Sequence, residues 1–265
     1  MKKHSKLIIL SLFVLPTFVT GTRCAAQTGT TEQNTSSSNQ MYQDFIRDML
    51  SGTDVVGGHE CVDLGLPSGT LWSTCNLGAA SPLEGGDYFA WAETKGTGAG
   101  KHDFSWETYA WCETSSLNAS TLIINKYCDN IAYGIADHRL EIEREDDAAS
   151  ANWGSEWSIP SRKQIEELLS KKYTTVTWTQ IANVPGALIT SKSTGKSIFL
   201  PAAGCHYGQN VSDAGGYGGY WSSTLVRGRE NGAYLLYVES KSNKCTNDLN
   251  RFCGRSIRPV TTRKK

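Results

Sequence analysis

No surplus of charge of either sign marks this chain. Its 265 residues carry 26 Lys and Arg against 26 Asp and Glu, a formal net charge of zero. Neutralising a phosphate backbone takes a basic surplus, so the balance argues against nucleic acid as the main partner. Signatures of catalysis are also missing: there is no GxSxG element, no P-loop and no HExxH. No CxxC pair or Cys/His spacing points to zinc. His59, His102, His138 and His206 are scattered, and no internal repeat is evident. The apolar run from Leu7 to Val19 is too short for a comfortable membrane span, so no transmembrane segment is expected in the mature chain.

What is present begins with an export signal. Lys2, Lys3 and Lys6 precede the apolar run, and Cys24-Ala25-Ala26 sets small residues before Gln27. Residues 1–26 read as a signal peptide, and the mature chain as secreted or cell-surface associated. A lipid anchor on Cys24 is the rival reading, and Arg23 fits a lipobox poorly. Loss of Cys24 leaves seven of the eight cysteines: Cys61, Cys75, Cys112, Cys128, Cys205, Cys245 and Cys253. Exported chains keep disulfides. Cys112 with Cys128, and Cys245 with Cys253, are the candidates close in sequence, beside buried thiols acting as small hydrophobes.

Residues 27–59 read as a flexible tether. Gln27 to Gln40 is too polar to bury a core. Met41 to Leu50 sets Tyr42, Phe45, Ile46 and Leu50 at helical spacing. A globular domain follows over 60–260, and residues 261–265 form a basic tail. With 39% hydrophobic and 20% charged residues, a packed core is feasible. Cys61 to Leu66 and Leu71 to Leu77 flank the turn signal Pro67-Ser68-Gly69. Asp87 to Ala92 is aromatic and strand-like. Ser161 and Gln164 form a capping-box pattern ahead of Ile165, Leu168 and Leu169, which predicts a helix. A shorter helix is expected over Glu145 to Trp153. Strands are expected at Thr174 to Trp178, Ala187 to Ser191, Ser197 to Pro201, Gly219 to Thr224, Ala233 to Glu239 and Ser256 to Val260, with a hairpin turn at Ser193-Thr194-Gly195. Few helices, many short strands and long loops point to α+β.

Several blocks occur in one order. They are Val62-Asp63-Leu64-Gly65-Leu66-Pro67-Ser68-Gly69-Thr70-Leu71-Trp72, then Gly86-Asp87-Tyr88-Phe89-Ala90-Trp91, then Asp146-Asp147-Ala148-Ala149. Trp157-Ser158-Ile159-Pro160-Ser161 follows, then Ser197-Ile198-Phe199-Leu200-Pro201-Ala202-Ala203-Gly204. The tail runs from Trp221-Ser222-Ser223-Thr224 to Ile257-Arg258-Pro259-Val260. Over roughly Cys61 to Val260 this ordered set resembles the Fibrobacter succinogenes major paralogous domain family of exported bacterial proteins. The resemblance implies a C-type lectin-like fold of the α+β class, with short strands, one or two helices and long loops. The tail also resembles the variable proteins of diversity-generating retroelements, in which a WSS block and a closing strand bracket randomised ligand-contact positions.

On that scaffold the expected function is non-enzymatic recognition of an extracellular glycan or protein, through a loop face between Leu225 and Phe252. Arg227, Arg229, Glu230, Asn231, Tyr237, Glu239, Asn247, Asp248 and Asn250 are its candidate ligand contacts. Tyr and Arg offer contact area and hydrogen bonds at little conformational cost. A solvated loop face without a ligand is the bland alternative. A structural subunit of a cell-surface or fimbria-like assembly, with self-association, is the alternative of another class. The basic residues from Lys241 onward, including Lys244, Arg255 and Arg258, read as a solubilising tail plus structural arginines, or as a patch for anionic glycans or the membrane surface.

Glu141, Glu143, Glu145, Asp146 and Asp147 form an acidic cluster of the kind that binds Ca²⁺. Arg139 and Arg144 offset it, and acids suiting a helix start are the simpler reading. No cofactor is expected, with structural calcium left open. Cys245 and Cys253 loosely resemble the copper-binding pair of formylglycine-generating enzymes, but the surrounding pattern does not match, so no enzyme is expected. Trp72, Trp91, Trp157 and Trp221 read as core, while Trp106, Trp111, Trp153 and Trp178 divide between core and surface.

Overall fold

Strands that mostly pair with the next strand along the chain make this chain mostly β. The structure, a computed structural model, describes Gln40, Gln43, Asp44, Phe45, Arg47 and residues 51–114, 122–248 and 250–262. The expected signal peptide, most of the expected tether, most of its amphipathic segment and the last three residues of the basic tail lie outside the described residues.

Fourteen strands are present among the described residues. β1 (Asp54–Val56), β2 (His59–Asp63) and β3 (Thr70–Ser73) are followed by β4 (Cys112–Thr114) and β5 (Leu122–Ile124). β6 (Thr174–Ile181), β7 (Val184–Ser191) and β8 (Ser197–Pro201) form a meander, and β9 (Cys205–Tyr207) pairs with β10 (Asn210–Ser212). β11 (Tyr217–Leu225), β12 (Ala233–Glu239) and β13 (Asn243–Asp248) make a three-stranded antiparallel sheet. β14 (Val260–Thr262) returns to β3, giving the order β1-β2-β3-β14.

Against these stand α1 (Ala148–Trp153) and α2 (Arg162–Leu168), each under two turns, and three single turns of 3₁₀ helix. The expectation of an α+β, C-type lectin-like fold is therefore corrected to a mostly β chain with several small antiparallel sheets. The helical pattern is genuine but short, and the segments taken for long loops pair instead.

The helix ends follow local chemistry. Ser161 accepts from Gln164 N–H and the Gln164 side chain caps the Ser161 backbone, so the capping box starts α2. Such a cap contributes about 1 kcal/mol. Ile165 and Leu168 face the core. α1 starts later than expected because Asp147 is its N-cap, accepting from Ser150 N–H at 2.9 Å. The Pro67-Ser68-Gly69 turn closes with Gly69 N–H donating to Leu66 C=O, and Gly69 supplies the positive φ of 71°. Asp87 to Ala92, expected as a strand, forms only a bridge from Phe89 to Arg255, because its neighbours there are loops and side chains.

Two apolar clusters organise the interior. One gathers Trp91, Trp157, Trp221, Phe104 and Tyr127; the other holds Trp72, Ile165, Ile198, Tyr220 and Leu236. Trp106, Trp111 and Trp153 pack at the margin of the first cluster and Trp178 at that of the second. Indole N–H groups tie distant segments: Trp91 donates to Ser222 C=O at 2.7 Å and Trp221 to Phe89 C=O at 2.9 Å. Arg258 is fully buried, donating to Asn76 Oδ1 and to the carbonyls of Ser73, Thr74 and Phe199. It joins the N-terminal sheet to the meander.

Candidate functional site

The three-stranded sheet β11–β12–β13 has two unlike faces, and the register assigns them. Tyr237 pairs with Gly219 on one side and Lys244 on the other; Leu235 pairs with Trp221 and Thr246. Side chains alternate along a strand. Tyr217, Gly219 and Trp221 therefore share a face with Leu235, Tyr237, Glu239, Lys244, Thr246 and Asp248. The opposite face carries Tyr220, Leu236, Val238 and Cys245, packed in the cluster that contains α2 residues Ile165 and Leu168.

The first face holds an open groove of about 390 Å³, lined by Tyr217, Tyr237, Lys244, Thr246, Asp248 and Arg255 among others. Gly219 leaves room for the Arg255 side chain, which lies across the sheet. Arg255 Nε donates to Asp248 Oδ2 at 2.9 Å, and Nη2 donates to the same oxygen. Its Nη1 reaches Tyr217 OH at 3.3 Å. Both partners of the Arg255–Asp248 pair are nearly buried, with side chains 10% and 13% exposed.

Burial alone would lower the Arg255 pKa; Asp248 and Tyr217 outweigh it and raise it, so the guanidinium stays charged. Burial pushes the Tyr217 phenol up to about 12, against the lowering pull of Arg255. The Tyr217 and Tyr237 rings stack, with centroids 5.1 Å apart. Tyr237 OH donates to Glu239 at 2.9 Å, and Lys244 Nζ lies 5.4 Å from the Tyr237 centroid. The groove thus combines a fixed aromatic pair, a fixed ion pair and one exposed cation. It can stack on a flat apolar surface and hydrogen-bond a polar or anionic group.

The expected loop face is therefore a hairpin, corrected by the pairing of β12 with β13. Of its nine candidates, Tyr237, Glu239 and Asp248 come together on the groove face. Asn247 points to the opposite face by its strand position, although it borders the groove. The others serve the ends of the hairpin. Glu230 is fully buried and accepts N–H groups from Gly228 and Asp129. Arg227 is exposed and pairs with Asp129 at 2.8 Å; His138 meets the same carboxylate. These contacts, His138 first, hold the Asp129 carboxyl below its ordinary pKa. Arg229 is exposed in the β11–β12 turn. Asn231 offers its carbonyl to Arg251 N–H, and Asn250 its carbonyl to Cys253 N–H.

Sequence alone does not single out Tyr217, Gly219 or Thr246. Their signal is a period-two alternation, readable once Ser240 and Lys241 are known to be a two-residue turn. Glu239 N–H donates to Ser242 C=O across it.

The acidic cluster is spoken for by protein groups. Lys126 Nζ sits 2.5 Å from Asp146 and 3.1 Å from Glu143. Tyr127 OH donates to Asp146. Glu141 accepts from the Ser223 and Thr224 hydroxyls, which pins the irregular end of β11. Asp147 accepts from Ser150 and Ile159 N–H, and burial still raises its carboxyl above the ordinary pKa. Among the described residues, no group of three His, Cys, Asp or Glu side chains is arranged to hold a metal ion.

Cys112 and Cys128 are not joined, nor are Cys245 and Cys253, so neither expected disulfide is present. Cys245 and Cys253 lie in different clusters, and burial pushes their thiols up to about 11 and about 12. His206 is buried between Phe104 and Tyr88, while its neighbour Cys205 turns the other way along β9.

A larger cleft of about 600 Å³ borders β1 and β14. Its charged lining residues are Asp54, Arg144 and Glu156, of which Arg144 and Glu156 are exposed. Among the described residues, no helix is long and apolar enough to cross a membrane. No family model, curated protein or solved structure matches the chain.

Proposed function

We propose that this chain is an exported, non-enzymatic recognition domain of the paralogous-domain type its motif blocks resemble. It binds a glycan or protein ligand through the groove face of β11–β12–β13. The observation that carries the reading is a preorganised polar site on a rigid sheet. The Arg255–Asp248 pair and the Tyr217–Tyr237 stack are fixed before any ligand arrives, so binding has little ordering cost to meet. Tyr and Arg are the side chains that most often dominate binding energy at such sites.

The test is a glycan and protein array probed with the purified mature chain, followed by titration of each hit against Tyr237→Ala and Lys244→Ala. Each substitution is expected to weaken binding by about tenfold, the loss typical of a contact that matters. An array without a hit, or hits indifferent to both substitutions, would sink this reading.

A second reading, a structural subunit of a surface assembly, is favoured by one feature. No backbone partner meets the outer edge of β13 among the described residues, and such edges accept further strands. It predicts open-ended polymers in the absence of any ligand.

A further inference from the structure

The edge strand β13 has a sequence that fits itself. The β12–β13 hairpin closes on the Glu239–Ser242 hydrogen bond. In an antiparallel ladder the paired backbone groups alternate. Lys244, Thr246 and Asp248 therefore bond inward to β12, and Asn243, Cys245 and Asn247 point their N–H and C=O groups outward. Lys244 is exposed and meets no carboxylate among the described residues, while Asp248, which already holds Arg255 on Oδ2 and accepts Asn250 N–H on Oδ1, lies two positions beyond the central Thr246 on the same face.

We propose that two copies of this chain pair antiparallel through β13 about a two-fold axis at Thr246, joining their two sheets into one. In that register Lys244 stands opposite Asp248 of the second copy, and the reverse pair repeats it. Thr246 faces Thr246, a favourable cross-strand pair. Cys245 and Asn247 exchange backbone hydrogen bonds with Asn247 and Cys245 of the second copy. A slip of one residue would set groove-face side chains against the helix-covered face. An axis at Lys244 or at Asp248 would oppose like charges. An axis at Cys245 or Asn247 keeps the hydrogen-bond phase but forfeits both ion pairs.

β6 is a longer edge, yet Thr174–Ile181 has no charged side chain to set a register. Two-fold pairing closes on itself, so it yields dimers and not filaments. Both grooves then share one face of the joined sheet, which presents two ligand sites together. The dimer itself requires no ligand, so its failure and that of the recognition reading are separate outcomes.

The test is sedimentation equilibrium of the mature chain across the micromolar range, with three variants. Thr246→Cys places the two sulfurs across a non-hydrogen-bonded pair with Cα atoms about 4.5 Å apart, within the span a disulfide bridges. It is expected to give a reducible covalent dimer well above the background of the native cysteines. Asn247→Pro removes only an outward N–H, which an edge strand tolerates, and is expected to abolish association while far-UV circular dichroism stays unchanged. Lys244→Asp is expected to weaken association by about tenfold, since two like-charge pairs replace two opposite-charge pairs.

A wild-type chain that stays monomeric and a Thr246→Cys chain that does not cross-link would overturn the proposal. Dimers indifferent to Asn247→Pro would overturn it in favour of another surface. A monomer whose Cys245 and Asn247 amides become protected only on adding a foreign polypeptide would overturn it in favour of a different strand donor.

Discussion

Gly219 lies beneath the guanidinium of Arg255. A Cβ at position 219 would overlap Arg255 Nη1 and stand 3.3 Å from Tyr217 Cε2. The φ of Gly219 is not among the positive ones, so the constraint is space and not backbone conformation. Arg255 cannot simply swing away, because Asp248 and Tyr217 hold it. Gly219→Ala is therefore expected to destabilise the chain by about 1–2 kcal/mol, the usual cost of overpacking. Urea unfolding followed by tryptophan fluorescence measures it. A Gly219→Ala chain as stable as wild type would show that Arg255 does not lie where the groove needs it.

The Arg255–Asp248 pair makes a sharper prediction. Removing one partner of a nearly buried ion pair strands the other charge, at a cost of about 3–5 kcal/mol. Asp248→Ala should show that loss. The double variant Asp248→Ala, Arg255→Met should recover much of it, because no charge is left buried. If Asp248→Ala and the double variant unfold at the same urea concentration, the pair is not the unit described.

Arg258 tests how the closing segment holds the domain. Its guanidinium serves Asn76 Oδ1 and three main-chain carbonyls, and among the described residues no carboxylate pairs with it. A lysine has one ammonium and cannot span acceptors arranged around a planar fork. Each acceptor left unpartnered in the interior costs about 1–3 kcal/mol. Arg258→Lys is thus expected to lose about 3 kcal/mol or more despite keeping its charge. A loss no larger than that of an exposed arginine such as Arg229→Lys would refute the structural role.

These residues also show what could be read in advance. The start of α2 was legible because a capping box is a local pattern: Ser161 and Gln164 need only each other. β8 and β12 were legible because apolar residues dominate Ser197–Pro201 and Ala233–Glu239. The four tryptophans of the ordered blocks are all buried, as expected of scaffold.

β13 was not legible. Asn243–Asp248 is polar apart from Cys245 and becomes a strand only because β12 offers it a ladder. The fold class was misread for the same reason, since a polar strand that gains its order from a neighbouring ladder leaves little local trace. Within the site, Tyr237 and Asp248 were legible as residue types suited to binding. Arg255 was not, because its basic neighbours have different fates. Lys244 is exposed, Arg258 is buried in the interior and Arg255 lies flat over a glycine that no local pattern marks.

Alkali should unfold this chain early, and the sign follows from burial. Cys245 and Cys253 move from 9.0 to about 11 and about 12, and Tyr217 from 10.0 to about 12, each mainly because burial disfavours the anion. In the unfolded chain these groups lose their protons first. Between about pH 9 and 12 the unfolded state therefore binds fewer protons than the folded state, and stability falls as pH rises. Below pH 9 both states are protonated at these groups and the effect vanishes. The urea midpoint is expected to be flat from pH 7 to 8.5 and to drop steadily through pH 9 to 11. Cys253→Ala and Cys245→Ala should each flatten part of the drop even where they lower the plateau. Alkylation by iodoacetamide at pH 8 should be slow at both thiols in the native chain and fast once urea is added. A midpoint unchanged up to pH 11 would mean that these groups are in contact with solvent, and that the packing of Cys245 and Cys253 against the sheets is wrong.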